Sequence, residues 1–310
     1  MVRRRPRVAP VVLGVLALLV VSVLAGCSDT RPGIDVAEVA RTTTTPTTPT
    51  TTIAPTMVGA PAVGECRGPV TQAEIDPASD ARPPVPCAEP HGFETVHVGE
   101  LLDAPEAWPG EDLPAGLTEQ ILAACQPALE EYLALPEAGP YVVPNRVSDF
   151  AYFVPTEEEW AGGARWFRCD AFVTPLAPGE QTSISGTLQG VGASPLPAAY
   201  RICDDPTGFV PCTSPHDLEY VAAIEAGQDT YPTVSDPALA ERCRAPVAQE
   251  LAITARDDLS FSVAIPTEQA WQAGLRVVYC VVGAAGGDPL VGTLAGIGDQ
   301  APLPVAGGAG

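Results

Sequence analysis

An internal duplication constrains the fold of this chain more than any other feature of its sequence. A block of residue types in residues 155–169 (Pro-Thr-Glu, then Trp, Gly, Arg and Cys) recurs in residues 266–280. Three more blocks recur in the same order: residues 85–91 with 210–216, the Cys of a helical stretch at Cys125 with Cys243, and residues 186–190 with 292–296. Self-similarity of this kind is the signature of a repeated structural unit. It predicts a first copy over residues 63–195 and a second over residues 196–302.

The cysteines divide evenly between the two copies. One of the nine, Cys27, lies near the N-terminus, and the other eight fall four to a copy: Cys66, Cys87, Cys125, Cys169, Cys203, Cys212, Cys243 and Cys280. An even number, with only three His and no Cys-x-x-Cys, is typical of disulfides in an exported chain and not of a metal site. Four cysteines allow three pairings in each copy. We favour first with second, because only a short turn separates Cys203 from Cys212, and third with fourth, because the helical cysteine should pack on the strand that holds the last one.

Apolar periodicity predicts one main helix in each copy. Apolar side chains recur every four residues, as one face of a helix requires, at Ile121, Cys125, Leu129 and Leu133 and at Leu239, Cys243, Val247 and Leu251. Asp236 and the proline after it are typical of a helix start. Pro127 and Pro246 should kink or end these helices.

Strands account for most of the rest of each copy. Alternating or apolar segments predict them at residues 93–98, 218–221, 261–265 and 276–282, and the Gly-Thr-Leu segments at 186–188 and 292–294 are expected to add one more per copy. A Thr opens a short helical turn before each repeated Trp. The predicted fold class is α+β: two repeated domains, each an antiparallel sheet packed by one main helix and stapled by two disulfides.

The N-terminus is typical of an export signal. Four arginines among the first seven residues precede an apolar run over residues 8–24, and the Leu-Ala-Gly-Cys that ends at Cys27 resembles a bacterial lipobox. This predicts a lipoprotein signal peptide at 1–26, lipidation of Cys27, a Thr/Pro-rich stalk at 27–62 and a flexible tail at 303–310. An uncleaved membrane helix is the alternative, and either one leaves the rest of the chain outside the cytoplasm.

Charge and composition exclude several functions. All 16 basic residues are Arg, so chemistry that needs Lys, such as a Walker phosphate loop or a Schiff base, is excluded. The net charge of −22 argues against a nucleic-acid partner. No Gly-x-Ser-x-Gly accompanies the Ser, His and Asp at 214–217, so serine hydrolysis is not supported. We expect no enzyme, no cofactor and no metal.

Two pairs of repeated residues are the candidates for binding. His91 and His216 could contact a ligand or respond to pH, or each could close a turn by bonding a backbone carbonyl or the nearby Glu. Trp160 and Trp271 could stack on a glycan or peptide, but an aromatic at one register in two repeats is more often a core residue.

The repeated blocks together resemble the septum-formation domain of actinobacteria. The pattern consists of Pro-Cys-x-x-Pro-His-x-x-Glu, a helix with Cys, Pro-Thr-x-x-x-Trp-x-x-Gly, a strand Cys and a closing Gly-x-Leu, and it covers about 63–190 and 199–298. The resemblance implies an actinobacterial envelope protein that acts at cell division through interaction, and it supplies no catalytic residues.

These observations predict a non-enzymatic lipoprotein on the extracytoplasmic face of the cell membrane. Its partners would be the membrane, through the lipid on Cys27, and an envelope protein or peptidoglycan component. The alternative is an envelope lipoprotein that binds a small ligand or glycan in the cleft between the repeats.

Overall fold

The computed structural model describes residues 54–135, 143–193, 195–234 and 236–307. The predicted signal peptide, the lipidation site Cys27 and most of the predicted stalk lie outside these residues. Among the helices that the structure describes, none is long and apolar enough to cross a membrane.

The first copy forms a five-stranded antiparallel sheet in the order β2-β1-β3-β5-β4. Its strands are β1 (Cys66–Arg67), β2 (Pro84–Val85), β3 (Phe93–Glu100), β4 (Phe150–Phe153) and β5 (Trp166–Phe172). The two central strands β3 and β5 carry the predicted alternating and apolar segments. Strand β5 is buried along its whole length, so both of its faces are covered.

The second copy forms a second five-stranded antiparallel sheet in the order β7-β6-β8-β10-β9. Its strands are β6 (Ile202–Asp205), β7 (Gly208–Pro211), β8 (Leu218–Glu225), β9 (Leu259–Ala264) and β10 (Val277–Ala284). Numbered from its own first strand, this order is the same as in the first sheet. The repeated sheets fit the internal repeat read from the sequence.

Within the described ranges, five α-helices connect the strands: α1 (Gln72–Ile75), α2 (Ala115–Leu133), α3 (Glu157–Ala161), α4 (Pro237–Leu251) and α5 (Glu268–Gln272). Helix α4 begins at the predicted cap, where the carboxylate of Asp236 accepts a hydrogen bond from the backbone N–H of Ala238. The short helices α3 and α5 each begin at a Thr whose hydroxyl accepts a backbone N–H, as predicted.

Helices α2 and α4 each press one apolar stripe against a sheet. The buried residues of the stripes are Leu117, Ile121, Cys125, Leu129 and Leu133 in α2 and Leu239, Cys243, Val247 and Leu251 in α4. At ~1.5–3 kcal/mol for each fully buried large apolar side chain, these stripes are a main source of stability in each copy.

Of the two effects expected of the prolines, a kink or an end to the helix, the second does not occur. Helix α2 continues through Pro127 to Leu133, and α4 continues through Pro246 to Leu251. A proline inside a helix costs about 3 kcal/mol. Because the turn beyond each proline buries further apolar side chains completely, its packing offsets that cost.

The expected Gly-Thr-Leu strands are absent from the described residues, which is a second correction. Both segments are loops, and each starts at a glycine with positive φ, 89° at Gly186 and 100° at Gly292. The backbone N–H groups of Leu188 and Leu294 donate to buried carboxylates and not to a neighbouring strand. Apolar composition alone could not distinguish the two outcomes.

In the described residues, two disulfides in each copy join its cysteines in the favoured order, first with second and third with fourth. The bonds are Cys66–Cys87, Cys125–Cys169, Cys203–Cys212 and Cys243–Cys280. In each copy the second of these bonds ties the main helix to the central strand β5 or β10. The first bond ties β1 or β6 to the segment that follows β2 or β7.

Candidate functional site

The candidate residues His91 and His216 are buried at equivalent positions of the two copies. In each ring Nδ1 lies 2.8 Å from a backbone carbonyl oxygen, that of Glu89 or Ser214. Because a carbonyl only accepts, Nδ1 must carry the proton and donate it. Backbone hydrogen bonds in both directions then join His91 to Ile184 and His216 to Leu290. Each histidine therefore closes a turn, the second of the two interpretations offered by the sequence.

A buried carboxylate lies beside each histidine. One potential ligand atom from each of Cys66, His91 and Glu94 lies within 4.8 Å of the others, and Cys203, Cys212, His216 and Glu219 form the matching group. The sulfur atoms belong to disulfides, so neither group offers a thiolate, the form of cysteine that binds a metal. In the oxidised protein these groups are suited to structural hydrogen bonding.

The two carboxylates anchor the Gly-Thr-Leu loops. Glu94 accepts hydrogen bonds from the Thr187 hydroxyl, from the N–H of Leu188 at 2.6 Å and from the Tyr132 hydroxyl at 2.6 Å. The sequence did not identify this role, although the spacing of the Glu, three residues after each repeated His, was visible.

The second copy has the same loop contacts but a different third partner. Glu219 accepts from the Thr293 hydroxyl and the Leu294 N–H, each at 2.6 Å. Its third donor is the Arg201 guanidinium at 2.5 Å, and that guanidinium also reaches Glu250 at 2.8 Å. A buried ion pair in the second copy thus takes the place of a tyrosine hydroxyl in the first.

We expect Tyr132 to ionise at a pH above the ordinary range of a tyrosine side chain. Burial and the hydrogen bond to Glu94 raise the pKa of Tyr132 to about 12. Because this folded-state pKa lies above the unfolded value of about 10, the stabilisation by the protonated hydroxyl is complete below pH ~10 and is lost as the pH rises toward 12.

An absorbance titration at 295 nm checks this expectation. Tyr132→Phe should remove one late-ionising group from the curve and leave the earlier part of the curve unchanged. Loss of an early-ionising group in Tyr132→Phe would contradict the assignment.

Trp160 and Trp271 are core residues, each about 1% exposed. The indole N–H of Trp160 donates to the carbonyls of Pro105 and Glu106 at 3.2 Å, and that of Trp271 donates to the carbonyl of Asp229 at 3.0 Å. An arginine also lies over each ring, at 4.2 Å in the first copy and 4.5 Å in the second. In this structure neither ring is presented to solvent for stacking on a ligand.

Comparison with known proteins shows that part of the chain is similar to one family. Residues 143–280 match the model of a family described as septum formation. The match runs from just before β4 through most of β10, which is under half of the chain, and it includes most of the second copy. No curated protein and no solved structure matches this chain. The match links the chain to septum formation. It does not cover most of the first copy, so the resemblance of the whole first copy to this family stays a prediction.

The side of each sheet away from the main helix is called the outer face below. In the first copy it carries a buried charge cluster in which Arg168 pairs with Asp170 at 2.8 Å and with Asp80 at 2.6 Å. Asp170 also accepts from the Thr95 hydroxyl at 2.9 Å, and that hydroxyl accepts from Arg67. Each buried charge therefore has a partner, as burial requires.

The outer face of the second copy is aromatic. Tyr220 lies in edge-to-face contact with Phe209 and with Tyr279, with ring centroids 5.8 and 5.9 Å apart. Phe209 is 55% exposed. Tyr279 is partly exposed and Tyr220 is buried, so Phe209 and Tyr279 are the members of this row that solvent reaches. Aromatic side chains at the surface are enriched in protein interfaces.

Proposed function

We propose that this protein is a non-enzymatic, membrane-anchored envelope protein that acts as an interaction module in septum formation. The observation that carries the proposal is the match of residues 143–280 to the septum-formation family. Its activity would consist of presenting a rigid, disulfide-bonded surface to an envelope protein or a peptidoglycan component at the division site.

The disulfides support a location outside the cytoplasm. Four such bonds persist in an oxidising compartment, whereas cytosolic thiols are kept reduced. The lipobox-like residues that end at Cys27 supply the means of export and anchoring. The Thr/Pro-rich stalk over residues 27–62 would then hold the folded copies away from the membrane.

Each side chain that could have served catalysis makes at least one structural bond, although His91 and His216 leave Nε2 without a hydrogen-bond partner in the described residues. His91 and His216 hold turns, Glu94 and Glu219 hold loops, and the cysteines are paired. A binding role needs none of these groups to be free.

The junction between the copies favours this proposal over a ligand cleft at the same place. Leu196 and Tyr200, which lead into the second copy, pack against the core of the first. The backbone N–H of Arg146 donates to the carbonyl of Tyr200 at 2.8 Å. Protein atoms therefore occupy this part of the boundary, and a ligand would have to displace them.

The test is the position of the protein in dividing cells of the parent organism. A fusion to a fluorescent protein that folds outside the cytoplasm should concentrate at septa, and a deletion strain should form delayed or misplaced septa. Cys27→Ala should release the protein from the membrane fraction, while Ser28→Ala should not. An even distribution around the cell together with normal septa in the deletion strain would overturn the proposal.

A further inference from the structure

The outer faces of the two copies differ in the chain segment that covers them. The first disulfide of the first copy spans 21 positions of the chain, whereas its counterpart in the second copy spans 9. The longer segment, which includes α1, covers the first outer face and makes it a buried layer around Phe93, Phe153 and Phe172. In the second copy a tight hairpin between β6 and β7 takes the place of that segment, so the equivalent cover is missing.

Three equivalent positions of the outer face differ in a consistent direction. The two residues of each pair lie at matching positions of the two copies, directly beside a repeated Cys or Glu. The first copy has a cationic or hydroxyl side chain at each position, and the second copy has an acidic or aromatic one. The pairs are Arg67 and Asp204, Thr95 and Tyr220, and Arg168 and Tyr279. The second copy thus carries neither the cations of this face nor the segment that covers it in the first copy.

The aromatic row borders a group of carboxylates. Asp204, Asp205 and Asp217 lie close enough that burial and the two neighbouring charges together raise the pKa of Asp204. In the part of the chain that the structure describes, no arginine forms an ion pair with Asp204 or Asp217. Carboxylates that repel one another in this way would be stabilised by an added cation.

The first copy shows what occupies such a face. There the guanidinium of Arg82, on the covering segment, lies 5.1 Å from the ring centroid of Phe93. The same guanidinium pairs with Asp80 at 2.8 Å. An arginine held between an aromatic ring and a carboxylate is therefore already part of the fold where the cover is present.

We infer that the outer face of the second sheet, formed by Phe209, Tyr220, Tyr279 and Asp204, binds an arginine-bearing segment of a partner protein. The inference rests on the proposed interaction function and names the chemistry of the partner. A guanidinium can lie flat on an aromatic ring and bond a carboxylate through two N–H groups at once, whereas a lysine ammonium interacts with either group as a compact point charge. A second copy of this chain is a poor occupant, because its net charge is −22.

Calorimetry with designed peptides tests the inference. The full-length oxidised protein in detergent is titrated with a blocked ten-residue peptide that alternates Arg and Thr, and with the same peptide carrying Lys or Glu in place of Arg. We expect the Arg peptide to bind roughly threefold to tenfold more tightly than the Lys peptide, which is the effect of the second hydrogen bond that a guanidinium donates to a carboxylate. The Glu peptide should not bind.

Matched variants locate the binding site. Phe209→Ser and Asp204→Asn change exposed or half-exposed side chains. Each should weaken the binding of the Arg peptide by roughly threefold or more. Leu102→Ser, at a residue of the first copy that is 62% exposed, should leave binding unchanged. Circular dichroism melting of each variant checks that the fold is retained.

Equal binding of the Arg and Lys peptides, or undiminished binding by both outer-face variants, would overturn the inference. The result is separable from the proposed function. Septal localisation of the wild-type protein without peptide binding would remove the inference alone, whereas failure to localise would remove the proposed function.

Discussion

Replacing Cys125 and Cys169 together by Ala should lower the free energy of unfolding of the first copy by about 4 kcal/mol. The bond closes a loop of 44 residues, and the entropy of that loop in the unfolded chain sets the expected size of the effect. Both cysteines are fully buried, so the change also removes packing between α2 and β5. Urea denaturation followed by circular dichroism under non-reducing conditions measures the loss.

The matched control is the disulfide that closes the shortest loop. Cys203 and Cys212 are 9 positions apart, and replacing both by Ala should cost only about 2.5 kcal/mol on the same loop-entropy argument. A larger loss from the short loop than from the long one would contradict the view that these bonds act mainly through the unfolded chain.

Glu219→Ala should destabilise the second copy by about 3–5 kcal/mol. The carboxylate is fully buried and neutralises Arg201, whose side chain is 7% exposed. Removing Glu219 takes away the buried partner of Arg201 and leaves that guanidinium paired only with the more exposed Glu250. The loss of a buried ionic partner costs this much in other proteins. The loop that begins at Gly292 also loses the acceptor of its Leu294 N–H and should become more mobile.

Glu250 offers a control on the same arginine. Its carboxylate also pairs with Arg201 but is 34% exposed, so Glu250→Ala should cost no more than about 1 kcal/mol. Thermal denaturation of both variants, with hydrogen exchange at Leu294, measures the difference. Equal effects of the two changes would show that burial of the Glu219 pair does not govern its contribution.

The features that repeat in the sequence were the most predictable. The four-residue spacing of apolar side chains gave the positions of α2 and α4, and the repeated Trp between a Thr and a Gly gave α3 and α5. The favoured disulfide order followed from a short hairpin and from the packing of a helix on a strand. In each case the determining interactions are local or involve one face of one element.

The features that depend on long-range contacts could not be predicted. Helices that continue through Pro127 and Pro246 do so because of tertiary packing, which propensity does not contain. The loop that starts at Gly186 is set by a carboxylate over 90 positions earlier, at Glu94. The difference between the outer faces depends on where residues 68–86 lie, and no pattern within that segment specifies its position.

Non-reducing peptide mapping of protein from the cell envelope tests the central claim most directly, namely that each copy is closed by its own two disulfides. We expect cross-linked peptides that join Cys66 to Cys87, Cys125 to Cys169, Cys203 to Cys212 and Cys243 to Cys280, with none of the eight cysteines open to alkylation before reduction. A cross-link between the two copies, or alkylation of these cysteines in the unreduced protein, would contradict the account.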